Sequence, residues 1–140
     1  MVFAGALAAG MLWSWLVPSP KFSAESLKIL GVMMGVFGTT LAFWGTYTFR
    51  RAGTHVRPSR PVTALVTGGP FRYSRNPFYL AMTAIYIGIT LYVGFLWPLV
   101  TLVPALIMVQ WRIVRREEQF LESRFGEDYR AYKARVHRWI

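Results

Sequence analysis

Three long apolar runs, separated by short polar segments, dominate the pattern of the chain. They extend over Val2–Val17, Leu27–Phe49 and Phe78–Trp111, and the one charged residue within them is Lys28. A helix that crosses the hydrocarbon core of a bilayer needs about 20 predominantly apolar residues. The runs therefore predict membrane-spanning helices. The first run could also be a signal-peptide core, but no basic residue precedes it and no clear cleavage site follows it.

The third run is too long for one straight span. It contains 34 residues, and a helix of that length measures about 50 Å against a hydrocarbon core of roughly 30 Å. The sequence Val-Gly-Phe-Leu-Trp-Pro, Val93–Pro98, has the composition of a turn. The run therefore predicts a helical hairpin with arms at Pro77–Val93 and Pro98–Trp111.

The second run contains several glycines at roughly helical spacing. Small residues in this arrangement let neighbouring helices approach closely, so close packing is the favoured interpretation, with contact to a cofactor as the alternative. A turn at Pro18–Ser23 precedes this helix, and Ser23 is predicted to cap it. The glycines are Gly31, Gly35, Gly38 and Gly45.

The C-terminal tail, Arg112–Ile140, alternates charged and apolar residues. Gly126 is predicted to end or bend its first helix, and a second short amphipathic piece follows. We expect this tail to lie along the membrane surface. One face of the first helix contains Val114, Glu118, Leu121 and Phe125, and the second piece contains Tyr129, Tyr132 and Val136.

These elements predict an all-α integral membrane protein with about four transmembrane helices. The last two form the hairpin, and a C-terminal amphipathic helical tail lies at the interface. The length favours one domain, 1–140. Within it, residues 1–64 contain the N-terminal helices and a basic loop, and residues 65–140 contain the polar motif described below, the hairpin and the tail.

The chain is strongly basic, with a formal net charge of +10. In a soluble protein this charge would suggest nucleic-acid binding, but here the basic residues lie between apolar runs and favour contact with lipid headgroups. The Arg50–Asn76 loop and the tail hold 14 of the 16 basic residues. The positive-inside rule then places both termini and this loop on the cytoplasmic side, in what we expect to be a prokaryotic inner membrane.

Disulfides, thiolate metal sites and a cysteine nucleophile are excluded, because the chain has no cysteine. The two histidines, His55 and His137, lie far apart and lack carboxylates at ligand spacing. No metal site is therefore expected.

Polar chemistry is concentrated where the hairpin begins, in the motif GGPFRYSRNPFYLA at residues 68–81. A hairpin returns to the membrane face that it left, so residues before its first arm should meet residues after its second. Arginines can grip a carboxylate or phosphate, and a carboxylate on the apolar face of a helix needs a dedicated partner. The residues predicted to meet are Arg72, Arg75, Asn76, Tyr79, Glu117 and Glu118.

This motif, followed by RREEQFLESRFGEDYRAYKARVHRWI, resembles the isoprenylcysteine carboxyl methyltransferase and phospholipid methyltransferase superfamily. The resemblance covers about residues 65–140 and implies an integral-membrane enzyme that uses S-adenosylmethionine. It implies a lipid or lipidated acceptor, and it makes Arg75 and Asn76 the candidate catalytic residues. The cofactor-binding residues that it implies are Arg72, Arg75, Asn76, Pro77, Tyr79, Glu117, Glu118 and, less directly, Arg135.

Asn76 leaves the acceptor open. Many carboxyl methyltransferases of the superfamily have histidine at this position, and asparagine cannot act as a general base at neutral pH. An isoprenylcysteine-type carboxylate needs no base, whereas a phospholipid amine would need another group. Two alternatives are a sterol-reductase-like enzyme that uses NADPH and a non-enzymatic four-helix membrane protein. A transporter of the latter kind would need an ionisable residue within a helix, and the apolar runs offer none at their centres.

Overall fold

A computed structural model describes residues 1–18, 21, 24–53 and 64–140. All regular structure in these ranges is helical. A 3₁₀ turn, Gly69–Arg72, precedes α3, and a π-helical turn, Val109–Val114, joins α4 to α5. The helices are α1 (Val2–Leu16), α2 (Glu25–Arg51), α3 (Pro77–Val93), α4 (Trp97–Met108) and α5 (Arg115–Arg135).

Two helices are long and apolar enough to cross a membrane. One is α2, and the other is Trp97–Arg135, which contains α4, the π turn and α5 and is kinked at Gly126. The apolar helices α1 and α3 are shorter. The apolar part of the long helix ends near Trp111, and the residues beyond it are charged.

The hairpin turn lies where the sequence predicted it. α3 has the predicted bounds, and Gly94 ends it with a left-handed φ of 79°, a conformation that glycine adopts without strain. The second arm differs from the prediction, because it continues past Trp111 into α5 rather than ending there. No glycine or proline interrupts the chain between Ala105 and Arg124, so nothing local stops the helix.

α2 and α3 pack closely at three of the four predicted glycines; the exception is Gly35, where an added Cβ atom would meet nothing within 4 Å. A Cβ atom added to Gly31 would lie 2.7 Å from the carbonyl oxygen of Gly88, and one added to Gly38 would lie 2.6 Å from that of Ala81. A Cβ on Gly45 would lie 3.0 Å from the ring of Phe78. The backbones therefore touch where side chains would normally separate them.

The two arms of the hairpin pack mainly on other helices, α3 on α2 and α4 on α1. Polar contacts tie the turn end of the bundle together. The Thr101 hydroxyl donates to the carbonyl oxygen of Ala6 over 2.9 Å, and the Tyr86 hydroxyl donates to that of Pro98 over 2.8 Å. At the opposite end of the bundle, the C-terminal residues His137 and Arg138 contact the start of α3.

The tail bends at Gly126, whose φ of 51° and ψ of −119° depart from helical values. This bend was predicted. It lets Tyr129 and Tyr132 pack against the buried ring of Phe71, and the Tyr132 hydroxyl donates to the Phe71 carbonyl oxygen over 2.7 Å. The tail therefore folds back onto the 68–81 motif. One prediction, the Ser23 cap, lies outside the described residues.

Candidate functional site

The polar motif forms a tight, well-packed entry into α3. Gly69 has a left-handed φ of 58°, and a side chain there would collide with Thr48 of α2. Asn76 precedes the helix with a non-helical backbone, as expected for a residue before proline. Pro77 then occupies the first helical position, where its missing N–H costs no hydrogen bond. Glycine and proline thus fix the direction in which Arg75 and Asn76 leave the backbone.

The last residues of the chain, His137–Trp139, cross this entry, and we call them the C-terminal strap. The backbone N–H of Arg75 donates to the carbonyl oxygen of His137 over 3.0 Å. The Asn76 side-chain amide donates to the carbonyl oxygen of Arg138 over 3.0 Å, and the Ser74 hydroxyl donates to the same oxygen over 3.3 Å. Asn76 therefore holds the strap in place.

Glu118 is the centre of the polar cluster. Its residue is only 7% exposed, and Arg138 binds both carboxylate oxygens, with Nε 2.9 Å from Oε1 and Nη2 2.7 Å from Oε2. Arg75 Nη1 lies 2.8 Å from Oε1. The expectation that Glu118 needs a dedicated partner is met by two arginines.

Burial alone would raise the pKa of the Glu118 carboxyl. The hydrogen bonds from Arg138 and the positive charges of Arg75 and Arg138 outweigh this effect and hold that pKa below its ordinary value. Glu118 is therefore an anion at neutral pH, fixed between two cations.

The Arg75 guanidinium has hydrogen-bonding capacity that the described residues do not use. Its side chain is 9% exposed, yet the buried atoms Nε and Nη1 have no hydrogen-bond partner in the described part of the chain. Nη1 is 2.8 Å from Glu118 Oε1 and forms an ion pair with it, so Nε is the nitrogen with neither kind of partner among the described residues. A buried donor without an acceptor is costly, so this guanidinium is suited to an additional anionic group.

Tyr79 and Glu117 form a second contact at the open edge of the cluster. The Tyr79 hydroxyl donates to Glu117 Oε1 over 3.0 Å. The contact joins α3 to α5, as the hairpin argument predicted for these two residues. It leaves Glu117 Oε2 free of any hydrogen bond to a described residue.

Most of the residues singled out from the sequence come together at this end of the bundle: Arg75, Asn76, Pro77, Tyr79, Glu117 and Glu118. Arg72 is exposed in the 3₁₀ turn, and no described residue accepts a hydrogen bond from its side chain. Arg135 donates to the carbonyl oxygen of Ala131 in its own helix, over 3.2 Å. The structure therefore places neither arginine on Glu117 or Glu118.

Two residues of the cluster were missed in the sequence, Ser74 and Arg138. Arg138, three residues after Arg135, is the tail arginine that contacts Glu118. The available signal was the charge of Glu118 on an apolar helix face. Such a charge predicts a cationic partner but not the position of that partner in the chain. The bend at Gly126 determines that this cation is Arg138, because it turns the tail back towards Glu118. Helical spacing cannot predict this path.

Comparison with known proteins identifies the family. The phospholipid methyltransferase family model matches residues 27–128. The chain belongs to the phospholipid methyltransferase family. The family implies a membrane methyltransferase and favours neither a nicotinamide-dependent reductase nor a non-enzymatic membrane protein.

A second comparison found a short bacterial relative. An uncharacterized protein of Haemophilus influenzae is 41% identical over 64 residues, which cover 44% of this chain and 98% of the relative. No solved structure matches the chain. The family match ends at residue 128 and therefore does not include the C-terminal strap.

Proposed function

We propose that this phospholipid methyltransferase family member uses S-adenosylmethionine to methylate a lipid or lipidated acceptor at the membrane surface. The observation that carries the proposal is the buried Arg75 guanidinium, which pairs with the Glu118 carboxylate and whose Nε makes no hydrogen bond to any described residue. A cofactor with a carboxylate, an ammonium and ribose hydroxyls has groups for both residues. The cluster adjoins the apolar part of the bundle, so a membrane lipid could reach it from the bilayer.

S-adenosylmethionine, when bound, supplies an activated methyl group on a sulfonium centre. Arg75 would donate its free N–H groups to the cofactor carboxylate. Glu117, through its unused Oε2, would accept from the ammonium or the ribose hydroxyls. Glu118 would keep the Arg75 and Arg138 side chains in position for the cofactor, because it is ion-paired with both. Pro77 and Tyr79 would line the same side of the site.

Methyl transfer requires an in-line approach of the acceptor, so the residues act chiefly by holding the reactants and excluding water. Asn76 takes no proton, because its amide is not basic and its Nδ2 holds the strap. If the acceptor is an amine, Glu117 is the carboxylate at the open edge that can accept the proton. If the acceptor is a carboxylate, no proton has to move.

For the membrane arrangement we propose four spans, α1 to α4, with the cluster and both termini on the cytoplasmic side of a prokaryotic inner membrane. The support is the charge distribution, because most basic residues flank the end of the bundle where the cluster lies. In this arrangement the tail beyond Trp111 lies at the headgroup level. Cysteine accessibility labelling of spheroplasts at position 127 tests it: labelling by an impermeant reagent would contradict the orientation.

Calorimetric titration of the detergent-purified chain tests the cofactor. We expect saturable binding of S-adenosylmethionine and S-adenosylhomocysteine and no binding of NADPH. A folded protein that binds neither of the first two would contradict the proposal, and one that binds NADPH instead would favour the reductase alternative.

A further inference from the structure

The chain after Gly126, residues 127–140, is docked on the polar cluster, and we call it the lid. The hydroxyl of Tyr132 donates to the Phe71 carbonyl oxygen over 2.7 Å. The C-terminal strap is part of the lid and accepts hydrogen bonds from the segment before α3. Trp139 packs against the buried apolar core of the bundle. Contacts with residues distant in sequence therefore hold the lid along its length.

The docked lid closes the cluster. The side chains of Arg75 and Glu118 are each 9% exposed, and Arg75 Nε is buried. Among the lid residues, Arg138 occupies both carboxylate oxygens of Glu118. Tyr129 lies beside Arg75, because burial raises the pKa of its hydroxyl and the guanidinium opposes that rise. A ligand cannot contact an atom that has no accessible surface, so the proposed cofactor cannot reach Arg75 Nε while the lid is docked.

One residue with an unusual backbone joins the lid to the rest of α5. Gly126 has a φ of 51° and a ψ of −119°, and the backbone on both sides of it is helical. Residues with a Cβ atom rarely adopt a positive φ. A Cβ atom added to Gly126 would meet nothing within 4 Å, so no neighbouring group locks the bend by steric contact. With helical φ and ψ at this residue, α5 would be straight and would carry the lid off the cluster.

Two conformations of α5 therefore compete. The bent conformation gains the docking contacts of the lid, and the straight conformation gains regular helical geometry at Gly126. Domain and segment closures commonly use such a hinge, in which a few residues absorb the change in φ and ψ. A closed lid excludes water from the cluster, and an open lid exposes the Arg75 guanidinium.

We propose that the lid opens at Gly126 to admit S-adenosylmethionine and to release S-adenosylhomocysteine, and that it closes through the strap to hold the cofactor on the cluster. The identity of the ligand rests on the proposed function, whereas the hinge motion does not. Ser74 and Asn76 form the latch, because both side chains donate to the carbonyl oxygen of Arg138. The rates of cofactor binding and release then both depend on how often the lid opens.

Spin-label distance measurements test the hinge without a ligand. The chain has no cysteine, so labels attach only at Gln119→Cys and Ala134→Cys, two exposed positions on either side of the bend. A straight helix would separate their Cα atoms by about 22 Å, and the bend brings them closer. We expect the wild-type backbone to give mainly the shorter distance.

An alanine at the hinge should shift this distribution. Gly126→Ala disfavours the positive φ and favours the helix, so we expect it to add a population at the longer distance. Gly5→Ala is the matched control, because Gly5 also has open space around its Cβ position but lies in the regular helix α1. An unchanged distribution in Gly126→Ala would overturn the proposal.

Surface plasmon resonance of the immobilised full chain with S-adenosylhomocysteine tests the gating. We expect Gly126→Ala to raise both the association and the dissociation rate constants by about fivefold or more, because the lid opens more often. Damage to the site itself would raise dissociation without raising association. Ser74→Ala removes one hydrogen bond of the latch and should raise both rate constants by about 2- to 5-fold.

The two measurements separate the lid from the proposed function. Association that is unchanged or slower in both Gly126→Ala and Ser74→Ala would overturn the gating, even if the cofactor binds. A wild-type chain that binds no S-adenosylhomocysteine would refute the proposed function. In that case the spin-label distances still decide whether the lid moves at Gly126.

Discussion

The interface between α2 and α3 and the polar cluster at the start of α3 use the same helix in opposite ways. Along the interface, glycine removes side chains until backbones touch at Gly38 and Ala81. At the cluster, long side chains fill the space, and Arg75 keeps donors that no described residue uses. The helix interface has no room for a ligand, whereas the polar cluster has a hydrogen-bond donor that a ligand could use. Unused hydrogen-bonding capacity, rather than polarity alone, therefore marks the candidate site.

The largest effect is expected at the interface. In Gly38→Leu the new side chain would meet the Ala81 carbonyl oxygen, since even a Cβ atom would lie 2.6 Å away. The free energy of unfolding should fall by about 3 kcal/mol or more, at or above the usual cost of overpacking. Unfolding in detergent, followed by tryptophan fluorescence, measures it. Gly35→Ala is the control, because its Cβ atom would meet open space. If Gly35→Ala unfolded as easily as Gly38→Leu, close packing at Gly38 would be contradicted.

A smaller effect is expected where the strap meets the cluster. Arg138→Gln removes both hydrogen bonds to Glu118, so S-adenosylmethionine should bind about 5- to 20-fold more weakly, as for charge-assisted hydrogen bonds. Arg138→Lys should restore only part of the affinity, because an ammonium cannot reproduce the fork. Titration calorimetry measures both. Arg135→Gln is the matched control, because Arg135 does not contact Glu118. If Arg135→Gln lost as much affinity for S-adenosylmethionine as Arg138→Gln, the effect would not depend on the hydrogen bonds to Glu118.

The smallest effect concerns acid stability. The pKa of Glu118 is lowered from its ordinary 4.5 in the folded chain, so its ion pairs stabilise the fold fully above that value. This stabilisation is lost as the pH falls from the ordinary value through the lowered one. Unfolding of the wild-type chain and of Glu118→Gln, compared from about pH 6 to about pH 3, should show a difference that shrinks in acid. A constant difference would mean that the Glu118 carboxyl does not titrate with a lowered pKa.

How much could be predicted from the sequence varies with the kind of signal. The bounds of α3 were predictable because Pro77 and Gly94 are local signals for a helix start and end. The need of Glu118 for a cation was predictable from its place on an apolar face. The unbroken helix through the π turn was not, because charges after Trp111 indicate the membrane surface without ending a helix.

The identity of the second cation was out of reach for a similar reason. Arg138 approaches Glu118 only because Gly126 bends the tail and Tyr132 docks it on Phe71. Such contacts between distant segments depend on tertiary packing, which helical spacing does not contain.

The most direct test of the central claim, that the Arg75–Glu118–Arg138 cluster binds S-adenosylmethionine, is a calorimetric titration of two matched variants. Glu118→Gln removes the buried carboxylate. Glu122→Gln removes a more exposed one, whose side chain is 35% accessible and pairs with Lys133 and Arg130. We predict that the first variant loses more than tenfold in affinity and that the second keeps the wild-type value. Equal affinity in the wild-type chain and Glu118→Gln would contradict the assignment of the cofactor to this cluster.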